Sequence, residues 1–137
     1  MSILRQASDK QKNNKKFVIE CIDKDPWSIM HALPNWLNDK DVVTAAILKD
    51  PWMLTFASDE LKDDKELVLL AVSKKGFTLF HASDRLKNDK EVVTVAVIEY
   101  GKALQFASNK MKDDWDVAMS AVSQNCLSIY ESYVNRP

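Results

Sequence analysis

The chain repeats itself every 25 residues without insertion or deletion, and that period restricts its possible folds more than any short motif does. One column of the self-alignment reads Ala7, Ala32, Ala57, Ala82, Ala107 and then Ser132. Others read Leu4, Ile29, Leu54, Leu79, Leu104, Ile129, and Val18, Val43, Val68, Val93, Ala118. Five units fall at about 3–27, 28–52, 53–77, 78–102 and 103–127, with a partial unit at 128–137. A unit this short cannot bury an apolar face alone, so neighbouring units must stack, and residues 1–137 are expected to form a single helical-repeat domain.

Each unit carries one helical stripe. Val42, Val43, Ala46 and Ile47 fall at i, i+1, i+4 and i+5, and Leu67, Val68, Ala71, Val72 and Val92, Val93, Ala96, Val97 repeat the pattern. The alternation of Val93, Val95 and Val97 would also suit a strand, but capping signals favour a helix. Asn38, Asp63, Asn88 and Asp113 each precede an acidic residue (Asp41, Glu66, Glu91, Asp116) by three positions, a capping-box arrangement that predicts a helix start there. The helix should run for about ten to twelve residues. It is expected to end before Gly76 and Gly101 by a left-handed exit, or before Asp25-Pro26 and Asp50-Pro51, where Asp caps the next helix and Pro fills its first turn.

A second helical segment follows, with Leu54, Ala57 and Leu61 at i, i+3 and i+7. Pro34, which shares a column with Asp9, Asp59, Asp84 and Asn109, would cost an uninterrupted helix about 3 kcal/mol by removing the bond to Met30. The preferred reading is a break at the preceding Ser or Leu, so that Ser58, Ser83 and Ser108 cap a short turn and Pro34 opens its own. The expected fold is all-α: an α-solenoid-like stack of short helical hairpins. Its end units should face water, because the column Trp36, Leu61, Leu86, Met111 becomes Gln11 at one end and Arg136 at the other.

Composition narrows the function classes. With 46% hydrophobic residues among 137, the chain can bury a real core and is not intrinsically disordered. Nineteen Lys plus Arg against twenty Asp plus Glu leave a net charge of -1, so no overall field draws in nucleic acid or an anionic membrane, and neither is expected as a partner. The opening MSILRQASDKQKNNKK lacks a signal-peptide h-region, and no run of about 18 apolar residues occurs. A cytoplasmic, unprocessed protein is the expectation. Cys21 and Cys126 lack metal-type spacing and form no disulfide framework, which fits a reducing compartment.

The segments LKDDKELVLLAVSKKGFTLFHAS and LKNDKEVVTVAVIEYGKALQFAS resemble the helical repeat family known only as domain of unknown function 4116. The likeness spans residues 3 to 132. It departs from the family pattern at NNKK in the first unit, where NDKE is typical, and at LPNW in the second, where SDEL or SDRL is usual. The resemblance implies a bacterial or protist source, such as the intracellular pathogen Legionella, where similar repeats occur in secreted effectors and in small proteins that regulate them. It therefore also implies delivery into a host cell by a secretion system as an alternative location, and a bacterial effector enzyme, for instance one acting on host ubiquitin, as a partner. It brings no catalytic residues.

The repeat also supplies an internal control for candidate sites, because each residue can be compared with its column. Cys21 stands where Ala46, Ala71, Ala96 and Ala121 stand and reads as a small buried hydrophobe. Cys126 replaces the Pro or Gly between helices and has no histidine close in sequence. His31 and His81 share a column with Phe56, Phe106 and Glu131, which favours packing over metal binding. The ladder Asp39, Asp64, Asp89, Asp114 has Lys40, Lys65 and Lys90 beside its first three members and reads as helix-start charge, while the Lys12, Lys62, Lys87, Lys112 ridge is offset by nearby carboxylates. No catalytic, cofactor or metal site is expected.

More informative are apolar residues in otherwise polar columns. Trp115 replaces Lys15, Lys40, Lys65 and Lys90, and Leu37 replaces Lys12, Lys62, Lys87 and Lys112; both are expected to be exposed. Ile98, Tyr100, Met119, Tyr130 and Tyr133 are weaker departures, and Trp27 and Trp52, just after Pro, serve either binding or packing between units. The expected function is a non-enzymatic protein-interaction module using these residues, chiefly Leu37 and Trp115. The alternatives are a homodimeric scaffold closed by the same patches and a small hydrolase built on Cys126 or His81.

Overall fold

A computed structural model describes residues 3–121. They divide between two compact units, Met1–Lys62 and Asp63–Pro137. All regular structure among the described residues is helical, and the fold is an all-α stack of short repeated helical units.

The first unit holds η1 (Leu4–Gln6), α1 (Asp9–Lys12), α2 (Lys15–Lys24), η2 (Pro26–His31), α3 (Pro34–Leu37), α4 (Lys40–Lys49), η3 (Pro51–Phe56) and α5 (Asp59–Lys62), where η denotes a 3-10 helix. The second holds α6 (Lys65–Lys74), η4 (Gly76–His81), α7 (Asp84–Lys87), α8 (Lys90–Glu99), η5 (Gly101–Phe106) and α9 (Asn109–Lys112). Each full repeat is thus a ten-residue α-helix, a six-residue 3-10 rod and a four-residue α-turn. In the first unit α2 packs on α4 and η2 on η3; in the second, α6 packs on α8 and η4 on η5.

The stripe read from the sequence is the core of the long helices. Val42, Val43, Ala46 and Ile47 are buried, as are their counterparts in α6 and α8. Their start lies one residue later than the capping-box reading placed it. Asp39, Asp64 and Asp89 are the N-caps, with Asp39 Oδ1 accepting from Val42 N–H at 3.3 Å and Asp64 Oδ1 from Leu67 N–H at 3.0 Å. Asn38 and Asn88 instead close the preceding α-turns, and their side chains accept the Ser58 and Ser108 hydroxyls at 2.6 Å. Two adjacent Asx residues offer two caps, and the one nearer the helix takes the free N–H groups.

The helix exit also differs from expectation. Asp25, Asp50, Lys75 and Tyr100 end the long helices in extended backbone, φ between -143 and -150. Gly76 is not in the left-handed region. Its lack of a side chain serves close approach, since a Cβ there would lie 2.2 Å from the Ala96 carbonyl oxygen and 2.8 Å from Tyr100 Cβ. The Asp-Pro expectation holds: Asp25 and Asp50 accept from Trp27 and Trp52 N–H at 3.1 and 3.0 Å, with Pro at the start of each rod.

The segment expected to be an α-helix is 3-10, closed by bonds such as Ser28 N–H to Asp25 C=O at 2.9 Å and Thr78 N–H to Lys75 C=O at 3.0 Å. The predicted break and turn follow it: Pro34 opens α3, and Ser83 and Ser108 cap α7 and α9. Ser58, Ser83 and Ser108 also donate their hydroxyls to Asn38, Asp63 and Asn88 of the preceding repeat, which ties successive repeats together within each unit.

Candidate protein-interaction face

A 3-10 helix has three residues per turn, so positions i and i+3 eclipse one another. In each rod the third and fourth residues turn inward, and in η3, η4 and η5 the first does too: Ser28 and Ile29, Pro51 with Met53 and Leu54, Gly76 with Thr78 and Leu79, and Gly101 with Ala103 and Leu104 are buried, while Pro26 is half-buried. The second and fifth residues then point outward as an eclipsed pair. These are Trp27 and Met30 in η2, Trp52 and Thr55 in η3, Phe77 and Phe80 in η4, and Lys102 and Gln105 in η5. The sixth residue, His31, Phe56, His81 or Phe106, lies half-buried beside them.

The outer face of η2 and η3 is consequently aromatic or sulfur-bearing except at Thr55. Trp27 is 44% exposed and Met30 53%. Trp27 meets Phe56 edge to face, with ring centroids 5.9 Å apart at 76°. In the second unit Phe80 is 56% exposed and contacts Phe106 (5.3 Å, 74°) and His81 (5.2 Å, 87°), both edge to face. The Lys87 ammonium lies over the Phe80 ring, 5.6 Å from its centroid.

Away from the rods, ion pairs link successive repeats. Lys15 reaches both Asp39 (3.2 Å) and Asp41 (2.8 Å), Lys65 both Asp89 (3.1 Å) and Glu91 (3.0 Å), and Lys90 both Asp114 (3.4 Å) and Asp116 (2.9 Å). The acidic ladder thus gains lysine partners 24 residues earlier, on the neighbouring repeat. The hydrogen bond and charge of Lys15 hold the Asp41 carboxyl below its ordinary range, and the paired carboxylates raise Lys15, Lys65 and Lys90. Asp63 is lowered by the Ser83 hydroxyl and by Arg85, whose Nε donates to it at 2.9 Å.

The residues singled out in the sequence are dispersed over the two units. Leu37 is half-buried in α3, not exposed, because this outer column also holds the half-buried Lys62 and Lys87, and its carbonyl accepts Ser58 N–H at 2.9 Å. Trp36 is half-buried, and its indole N–H donates to the Lys12 carbonyl at 2.6 Å. Trp115 is 61% exposed on the helical stretch 115–121, which also carries the exposed Met119. Ile98 is exposed on α8, and Tyr100 at its end. Trp27 and Trp52 lie on the outer rod face. Cys126, Tyr130 and Tyr133 lie outside the described residues. Cys21 is buried in α2, and burial pushes its thiol up.

Met30, Phe80 and Leu48, all exposed, were missed. The same column test would have found them: Met30 and Phe80 stand where Arg5, Thr55 and Gln105 stand, and Leu48 where Asp23 and Ser73 stand. Among the described residues no group of three or more His, Cys, Asp or Glu is placed to hold a metal, and no helix is long and apolar enough to cross a membrane.

No curated protein and no solved structure matches the chain. One family model matches three times, at residues 14–62, 64–111 and 89–134, each match spanning roughly two of the 25-residue repeats. The chain therefore belongs to the family described as domain of unknown function (DUF4116).

Proposed function

We propose that the chain is a non-enzymatic protein-binding module that engages its partner through the outer face of its 3-10 rods. One observation carries this reading: the inner rod positions already supply the core, yet outer positions hold Trp27, Met30, Trp52 and Phe80, large apolar groups that water disfavours. Aromatic side chains on a rigid backbone are the usual anchors of protein interfaces. The edge-to-face contacts with Phe56 and Phe106 hold two of these rings in place and lower the ordering cost on binding. The buried thiol of Cys21, pushed toward its protonated form, is a poor nucleophile and gives an enzymatic reading no support.

The resemblance to repeats in secreted effectors and their small regulators supports a finer reading. The partner is then a bacterial effector enzyme, for instance one acting on host ubiquitin, and the module regulates it by occluding its surface. The test is capture of effectors by the immobilised protein, with a Trp27→Lys, Phe80→Lys variant whose helicity and unfolding midpoint match the wild type. A partner kept by the wild type and lost by the variant supports the reading; a partner kept equally by both overturns the assignment to the rod face.

A further inference from the structure

The two units differ in the charge around their rods. In the first, the segment Pro26–Leu37 carries no Asp, Glu, Lys or Arg, and Pro51–Lys62 carries two acidic side chains and one basic one, Lys62. In the second, the equivalent segments Gly76–Lys87 and Gly101–Lys112 carry five basic side chains (Arg85, Lys87, Lys102, Lys110, Lys112) against the single carboxylate of Asp84. Arg85 is already committed to Asp63. Lys102 takes in η5 the outward position that Phe77 takes in η4, and it is exposed, as is Lys110 on α9. With Lys87 over the ring of Phe80, an exposed aromatic anchor has an ammonium group against it, and the two segments that hold the second unit's rods carry a net positive charge in a chain whose net charge is -1.

We propose that the outer face of η4 and η5 takes an acidic segment of a partner protein, which seats a large apolar side chain against Phe80 and Phe106 and sets its carboxylates among Lys87, Lys102 and Lys110. The proposal rests on the protein-binding reading and adds the partner's chemistry. Charge complementarity selects the occupant, because the local excess of ammonium groups repels a basic segment and attracts an acidic one. Single-stranded nucleic acid shares the negative charge but needs open ring faces on which bases stack. Phe80 meets Phe106 and His81 edge to face and has Lys87 over its ring, so the arrangement favours an apolar side chain over a base.

The test uses the full chain and fluorescein-labelled probes read by anisotropy. One is a short peptide of Asp, Glu and Ser around a central Phe-Leu pair; the second has Asn and Gln in place of its acids; the third is oligothymidylate. The acidic peptide should bind tightest, and Phe80→Ala should weaken it about tenfold or more. A Lys87→Glu, Lys102→Glu variant should weaken it by a similar factor. Raising the ionic strength from about 0.1 M to about 1 M, which shortens the Debye length from about 10 Å to about 3 Å, should weaken it further. Equal binding of the neutral peptide, or tighter binding of oligothymidylate, would overturn the proposal, as would failure of all three probes. Each of those results leaves the protein-binding reading to the capture experiment, whose variant tests the apolar anchors and not the lysines.

Discussion

Gly76→Ala is the perturbation whose cost the structure fixes most directly. The added methyl would stand 2.2 Å from the Ala96 carbonyl oxygen, more than 1 Å inside an ordinary contact, and 2.8 Å from Tyr100 Cβ. The nearest obstacle is backbone of α8, whose amide ladder cannot rotate away as a side chain could. Gly76 N–H also donates to the Glu99 carboxylate, so moving η4 off α8 would strain that bond. Overpacking of this kind costs about 1–3 kcal/mol and occasionally more. The opposing term is small: the entropy that Ala removes from the unfolded chain returns about 0.4–1 kcal/mol where the backbone fits. The expected net loss is about 1–2 kcal/mol, or a fall in melting temperature of roughly 4–8 °C. Urea titration followed by circular dichroism should show a lower midpoint with an unchanged slope. A variant as stable as the wild type, or more so, would mean that α8 does not approach η4 as described.

Other expectations follow from the core, the caps and the ion pairs. Ile47→Ala, at a fully buried position of α4, should cost about 2–5 kcal/mol by urea titration. Asp64→Ala should cost roughly 1 kcal/mol through loss of the α6 cap, and Asn88→Ala distinctly less, because Asn88 accepts a serine hydroxyl and does not cap α8. The reverse order in those two variants would restore the earlier helix start. Asp41, Asp63, Asp89 and Asp114 have lowered pKa values, so their contribution is present above the unfolded carboxyl value of about 3.9 and is lost as pH falls through the lower folded values. Lys15, Lys65 and Lys90 are raised, so theirs is present below the unfolded value of about 10.4 and is lost as pH rises through the folded ones. Urea midpoints should be level between these limits and decline outside them, with a shallower acid limb in Lys65→Gln.

The long helices and the short turns were legible in the sequence because both rest on local signals: a buried stripe at helical spacing, a serine cap and a proline that can only open a turn. The rods were not. Leu54 and Ala57 are three apart in both an α and a 3-10 reading, as are Trp27 and Met30, and i, i+3 neighbours share a face in either helix, so spacing alone does not separate the two. That distinction decides which side chains meet the solvent. The departures from consensus at Leu37 and Trp115 were visible in the columns, but a column does not give exposure, and Leu37 proved half-buried. Gly76 was read as a left-handed exit because sequence shows the missing Cβ and not the carbonyl that requires its absence. The pairing of Lys15 with Asp39 and Asp41 was hidden for a related reason: adjacent lysines stand closer in sequence, while stacking brings in the lysine one repeat earlier.

The central claim is that the outer positions of the rods, and not Leu37 or Trp115, bind the partner. Calorimetric titration of one effector partner against two folded variants tests it most directly. Trp27→Lys, Phe80→Lys should weaken binding about a hundredfold or more, and Leu37→Lys, Trp115→Lys only a few-fold. The opposite ranking would move the interface to Leu37 and Trp115 and contradict the assignment.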